Sequence, residues 1–263
     1  GRRYPLVPVG LQLYSLRDIA QTDLPRALEM TARAGYDCVE WYGCPAVVND
    51  PAGAKAACDA AGLSSYSMHV PGDWLKAEAL EKTLETLQIL GVRYAILPWS
   101  KADSAQACEE TARLLAQAKA FFAPHGIEVG YHNHGHEFKA LPDGRLPMDV
   151  LLRTGGVLGE VDTCWALYGG VDPDAYIASL GALTGPVHFK DINADYATRD
   201  PEKIDVPVGG GIIDFEKIAR TLLAAGRLDA GLIVEQEAYA GDVAADIAAS
   251  CAHIRGILKK LGA

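Results

Sequence analysis

No apolar run in this chain approaches the ~20 residues of a membrane span, so no spanning helix and no membrane partner are expected. None of the six cysteines (Cys38, Cys44, Cys58, Cys108, Cys164 and Cys251) stands in a CxxC pair. That removes the spacing of a zinc ribbon or a dithiol redox motif and leaves buried free thiols, the habit of a reducing compartment. Basic residues are in deficit: 24 Lys and Arg face 34 Asp and Glu, a net charge of -10. A duplex nucleic acid needs a basic face, so no nucleic-acid partner is expected. No GxGxxG follows the first apolar run, which argues against an open dinucleotide-binding sheet. No linker or low-complexity tract marks a second domain. The chain starts at Gly1 rather than at methionine, and Arg2-Arg3 lacks the apolar stretch of a signal. The expected compartment is the cytoplasm, with the periplasm as the alternative because the native start is absent.

What is present is a recurring unit: a helical stretch, a glycine or small residue, a short apolar run, then polar residues. Eight such runs read as strands: Val9–Ser15, Cys38–Tyr42, Ser64–His69, Tyr94–Pro98, Ile127–His132, Gly159–Asp162, Val187–Asp191 and Leu232–Glu237. Amphipathic stretches lie between them at Asp23–Ala34, Pro51–Ala61, Ala77–Leu90, Ser104–Ala123, Met148–Arg153, Pro173–Leu180, Phe215–Ala225 and Val243–Leu261. Gly35, Gly62, Gly91, Gly126 and Gly231 stand where a left-handed cap would end a helix. Eight strand–helix units of roughly 30 residues in a 263-residue chain fit a (β/α)8 barrel of the α/β class, one domain over 1–263. The least regular stretch, Asn193–Gly211, reads as a long loop able to act as a lid.

Barrel strands present their chemistry at their C-terminal ends. There the sequence places Gln12 and Tyr14, Glu40 and Tyr42, Ser67 and His69, Pro98 and Trp99, His132 and His134 with Glu137 beyond, Glu160 and Asp162 with Trp165 beyond, His188, Lys190 and Asp191, and Glu235 and Glu237. So many ionisable groups do not suit a packed core, because uncompensated buried charge is costly. Converging in one funnel, acids and imidazoles make a mixed N/O site suited to Mn²⁺, Co²⁺, Zn²⁺ or Fe²⁺; Mg²⁺ prefers oxygen alone. The densest signal is Tyr131–Phe138, where His132 and His134 share one strand face.

Each of these residues also has a plainer reading. The histidine block could be a solvated polar loop, His188 a satisfied core histidine, and Asp162 a helix cap. Of Glu235 and Glu237, one reads as a ligand, the other as a substrate contact or a partner of Lys190. Glu160 reads as an acid behind the ligands. Trp165, Trp99 and Tyr14 could wall a sugar pocket or simply pack. Val208-Gly209-Gly210-Gly211 ahead of Asp214-Phe215 could cradle a phosphate at a helix N-terminus, or could be a turn with Asp214 as N-cap.

As an ordered set these segments resemble the xylose-isomerase-like TIM-barrel superfamily of sugar phosphate isomerases and epimerases over nearly the whole chain. The resemblance is carried by Tyr131–Phe138, Glu160–Trp165, Gly170–Pro173, His188–Asp191, Val208–Gly211 before Asp214-Phe215, and Val234–Glu237. It implies a divalent metal (Mn, Co, Zn, Fe or Mg) held at the ends of strands five to eight. Asp162, His188 and Glu235 fall on three of those positions. His132 stands at the fourth, where relatives usually carry a glutamate; Glu137 or Glu160 are the other candidates for it. Trp165 stands where many epimerases carry a histidine.

The activity implied is isomerisation or epimerisation of a sugar or keto-sugar through an enediolate. His134 or Glu237 acts as base, Lys190 stabilises the oxyanion or shuttles a proton, and Tyr14, Glu40, His69, Glu137, Glu160 and Trp165 contact substrate. Alternatives are a lyase or dehydratase of the inosose dehydratase or 3-keto-glycoside lyase kind, and a sugar-binding barrel without catalysis. A DNA-repair enzyme also exists on such barrels, and the acidic charge speaks against it. The resemblance implies a small sugar as partner and allows a homo-oligomer.

Overall fold

The computed structural model describes residues 7–263, so the first six residues of the expected 1–263 domain lie outside the described residues. Eight parallel strands form the central sheet: β1 (Val9–Gln12), β2 (Cys38–Trp41), β3 (Ser64–His69), β4 (Tyr94–Leu97), β5 (Glu128–His132), β6 (Leu158–Glu160), β7 (Val187–Phe189) and β10 (Leu232–Val234). Their order is β6-β5-β4-β3-β2-β1-β10-β7. The two end strands meet through isolated parallel bridges, Gly159 to Thr184 and Asp162 to His188, which bring the sheet to closure. Two further strands, β8 (Asp191–Ile192) and β9 (Asp205–Val206), form a small antiparallel pair above β7. The architecture is a TIM barrel with helices outside.

Every residue of β1, β2, β4, β7 and β10 is buried, as expected of parallel strands covered on both faces. Strand alternation sends Val39 and Trp41 one way and Glu40 the other, into the barrel interior, where it meets His188 from across the barrel. Helices begin where a short polar side chain takes up a free first-turn N–H. Asp23, Asp50, Ser104, Asp162, Asp214 and Asp242 all do this. Gly91 ends the helix Leu80–Leu90 in the left-handed region at φ 72°, ψ 30°.

Several boundaries differ from the sequence expectation. β1 stops at Gln12, because Leu13–Leu16 winds into a 3-10 turn whose Tyr14 N–H donates to the Gln12 side chain. β7 and β10 stop at Phe189 and Val234, so Lys190, Glu235 and Glu237 project from the loops just above. The helix expected over Ala77–Leu90 starts with a 3-10 turn, and Met148–Arg153 lies in a short α turn followed by a π turn, Val150–Thr154. Short helices at Arg17–Ala20, Pro45–Asn49 and Thr163–Tyr168 were not expected. Gly231 (φ 105°, ψ 149°) follows a 3-10 turn and runs extended into β10 instead of forming a left-handed cap.

The stretch Asn193–Gly211 is no open lid. It folds through β9 and two 3-10 turns, Tyr196–Thr198 and Pro201–Lys203. The Asp191 carboxylate takes N–H bonds from Gly209, Gly211 and Ile213 at 2.8–3.2 Å, so the glycine-rich turn already holds an anion of its own. Asp214 caps the helix Phe215–Ala224. All six cysteines are free and buried. No helix among the described residues is long and apolar enough to cross a membrane.

Candidate active site and metal centre

β5, β6, β7 and the chain after β10 deliver His132, Asp162, His188 and Glu235 to one point, each offering a ligand atom within 4.8 Å of the others. His132 Nε2 lies 3.2 Å from Asp162 Oδ2. His188 Nδ1 lies 3.7 Å from the same oxygen and 3.5 Å from Glu235 Oε2. A tetrahedral ion about 2.1 Å from each ligand spaces them about 3.4 Å apart, so the four atoms stand at metal-binding separations. His188 Nδ1 is buried and has no hydrogen-bond partner, as a nitrogen reserved for an ion would be. These buried residues fit a divalent cation.

The scaffold behind them is built from polar side chains. Asp162 Oδ1 accepts from Trp165 N, capping the helix Thr163–Tyr168, while Oδ2 faces the site. The helix-cap and site readings of Asp162 therefore both describe this residue, one oxygen each. Asn133 Oδ1 accepts from Asp162 N, and its amide donates to the carbonyls of Asp162 and His134. Thr163 Oγ1 donates to the Lys190 carbonyl. Asn133 and Thr163 were not singled out in the sequence; adjacency to His132 and Asp162 was the available signal.

Lys190 is buried with its ammonium 3.4 Å from Glu235 and 3.1 Å from Glu237. Burial alone would lower its pKa, but Glu235 and Glu237 raise it well above the ordinary value, so it stays charged. Burial would likewise raise Glu235 and Asp162, but Lys190, with the imidazoles, holds both carboxyls low. Burial, which Lys190 only partly offsets, raises Glu237. His134 is held neutral, its pKa lowered to about 3 by burial and by neighbouring His132.

Beneath these groups lies a second layer. Glu40, His69 and Glu160 surround His188 Nε2, and Glu40 also accepts from Gln12 Nε2 (2.9 Å) and Ser67 Oγ (2.6 Å). Glu40 and Glu160 have no exposed surface. Burial would lower His69, but Glu40 and Glu160 raise its pKa to about 10. Glu137 is buried and committed, accepting from Tyr131 Oη and His134 N.

A cleft of about 570 Å³ lined by Trp99, His134, His136, Lys139, Trp165 and Tyr168 adjoins the cluster through His134, whose ring lies 5.3 Å from that of His132. Lys190 sits 5.3 Å from the centre of the Trp165 ring, which also lies against His134. Tyr14, 39% exposed, packs edge-on against Tyr42 and is not part of this wall. His136, Lys139 and Tyr168 were missed in the sequence. Tyr168 stands three residues after Trp165 on one short helix, the spacing that brings both to one face.

The model of the xylose isomerase-like TIM barrel family matches residues 28–257. A sequence search of curated proteins finds no match. Among solved structures, a sugar phosphate isomerase/epimerase from Parabacteroides distasonis superposes with a TM-score of 0.80 at 22% identity, covering 97% of this chain and 98% of that one. D-allulose 3-epimerase from Methylomonas sp., in complex with D-allulose, gives 0.71 at 15% identity over 95% and 96%. A Bacillus anthracis protein described as a probable 3-DHS dehydratase gives 0.71 at 14% identity over 94% and 98%. At these identities the likeness is one of fold.

Proposed function

Because the chain belongs to the xylose isomerase-like TIM barrel family, we propose that it is a divalent-metal-dependent enzyme that isomerises or epimerises a sugar or keto-sugar by removing the proton α to a carbonyl. One observation carries this reading: the convergence of His132, Asp162, His188 and Glu235 beside a buried, charged Lys190, which lies against Trp165 of the neighbouring aromatic-walled cleft. Those four side chains would hold a divalent ion, which would supply Lewis-acid polarisation of a carbonyl. His134, neutral and with a buried, unpartnered Nδ1, is placed to accept the α-proton. Lys190 sets its fixed positive charge beside the developing enediolate oxygen. Trp165 and Trp99 offer faces for stacking on a sugar ring. The fold likeness to sugar isomerases and epimerases supports the same reading.

Glu237 favours a second reading. Burial raises the pKa of its carboxyl, which sits 3.1 Å from Lys190, and from there it could relay a proton to a departing β-hydroxyl or glycosidic oxygen, giving a lyase or dehydratase. The Trp165 position, where many epimerases carry a histidine, and the dehydratase among the fold relatives support it.

The test is elemental analysis of the purified protein beside His188→Ala and Asp162→Ala, followed by a screen of keto-sugars for α-proton exchange in D₂O. About one equivalent of metal at this site, lost in both variants, with exchange and no enone absorbance, is the expected result. Exchange with a growing enone band turns the reading to the lyase. Sugar binding with neither metal nor exchange, even after incubation with Mn²⁺ or Zn²⁺, would sink the enzyme reading.

A further inference from the structure

We propose that the protein carries a second divalent-metal site one layer below the first, built from Glu40, His69, Glu160 and His188, with the His188 ring bridging the two. The bridge rests on the reading above; the lower site stands on its own residues.

Four atoms form a closed ring in which nitrogen and oxygen alternate. His69 Nε2 lies 2.7 Å from Glu160 Oε1 and 3.0 Å from Glu40 Oε1. His188 Nε2 lies 2.6 Å from Glu40 Oε1 and 3.0 Å from Glu160 Oε1. These sides are hydrogen-bond lengths, shorter than the about 3.4 Å that a tetrahedral ion sets between its ligands, so an ion would replace these bonds and spread the ring by about 0.4–0.8 Å. Two imidazoles and two carboxylates are a ligand set for Zn²⁺, Co²⁺ or Mn²⁺. Glu160 Oε2 is buried and has no hydrogen-bond partner, leaving that carboxylate free for a second bond to an ion.

Charge separates this arrangement from an ordinary hydrogen-bonded layer. Glu40 and Glu160 bring two negative charges into a region without solvent, and among the described residues neither has a lysine or arginine in ion-pair reach. Buried charge must be compensated. With protons alone, either both imidazoles are cationic or one of the carboxyls takes a proton. The two rings stack at 5.3 Å and 13°, and His132 lies 4.9 and 4.5 Å from them, so in the first case two like charges would face each other. One divalent ion supplies the same two charges and leaves His69 neutral. His188 is then used from both sides: Nε2 to the lower ion and Nδ1, already without a partner, to the upper one, the ring proton passing to solvent. The Gln12 and Ser67 bonds to Glu40 fix that carboxylate for the role.

The test is metal stoichiometry. Chelator-stripped protein is titrated with Co²⁺, freed of excess by gel filtration and analysed for cobalt. Wild type is expected to hold two equivalents, Glu40→Gln and His69→Gln one each, and Asp162→Asn one. A single equivalent in wild type that Glu40→Gln retains would overturn the second site, as would a second equivalent indifferent to both lower-layer changes. Loss of all metal in Glu40→Gln with full retention in Asp162→Asn would instead remove the upper ion and leave the lower. Wild type loaded with Cu²⁺ gives a readout that needs no variant. Spin coupling between two coppers by electron paramagnetic resonance is expected, and an uncoupled spectrum at two equivalents overturns the bridge.

Discussion

Asp162 divides its two oxygens between a helix cap and the cluster with His132 that is the candidate metal centre, and substitutions can separate the two. Asparagine keeps an acceptor for Trp165 N–H and removes the charge; alanine removes both. Both variants should lose the upper metal, while Asp162→Ala unfolds about 1 kcal/mol more easily than Asp162→Asn in urea. Equal midpoints would mean that the cap contributes nothing. His134 gives a second prediction at this scale. Folding holds its pKa near 3 against an ordinary 6.5. Below 6.5 the unfolded chain takes up a proton that the native imidazole refuses. The contribution of this group to stability is therefore full above that pH and erodes as pH falls towards 3. Imidazole NMR should show His134 neutral through pH 5 in wild type and titrating closer to 6.5 in Trp165→Ala, which opens its wall. Titration near 6.5 in the native protein would contradict the burial argument. At this scale the sequence showed which residues converge, because strand ends are where a parallel barrel gathers polar groups. It did not show that Glu40 and Glu160 lie below the ligands and Glu237 above, since depth depends on where each strand stops.

The segment Asn193–Gly211 shows what sequence periodicity leaves out. Its glycines suggested a phosphate cradle or a turn, and its length suggested a lid. The decisive partner, Asp191, lies 18 to 22 residues from the three amides of the turn that it binds, beyond the reach of any local pattern. Asp191→Ala leaves three N–H groups of that turn without their acceptor. A loss of roughly 3 kcal/mol is expected, with faster amide exchange over residues 193–213 while the barrel strands stay protected. Unchanged exchange there would show that the carboxylate is not what fixes the turn. Gly211→Ala should act in the same direction, because a Cβ would stand 2.3 Å from the Ile192 carbonyl oxygen. The other elements were far more readable. Long helices with aspartate or serine caps kept their expected spans to within a few residues, whereas the six-residue helix Thr163–Tyr168 is too short to show a period.

For the molecule as a whole, eight apolar runs separated by helices were enough to indicate the barrel, because parallel strands buried on both faces leave a strong signal in the chain. Closure was not legible, since it rests on two isolated bridges between β6 and the chain of β7. A ligand that binds only the native state stabilises it by about 2.7 kcal/mol at a hundred times its Kd. For a domain of this size that is a rise in melting temperature of roughly 5–10 °C. Chelation should therefore lower the melting temperature by several degrees, and Mn²⁺ or Zn²⁺ should restore it. A midpoint indifferent to chelator would count against tight binding.

Asp162 and His188 also form one of the two bridges where the end strands meet. An ion between them would tie the last stave of the cask to its neighbour, as a hoop does, at the place where backbone hydrogen bonding is thinnest. Loading the centre should then slow amide exchange in β6 and β7 more than in β2 to β4, on the far side of the wall. In that case the group that prepares the chemistry also completes the vessel, and the barrel is most firmly shut when it is ready to turn over.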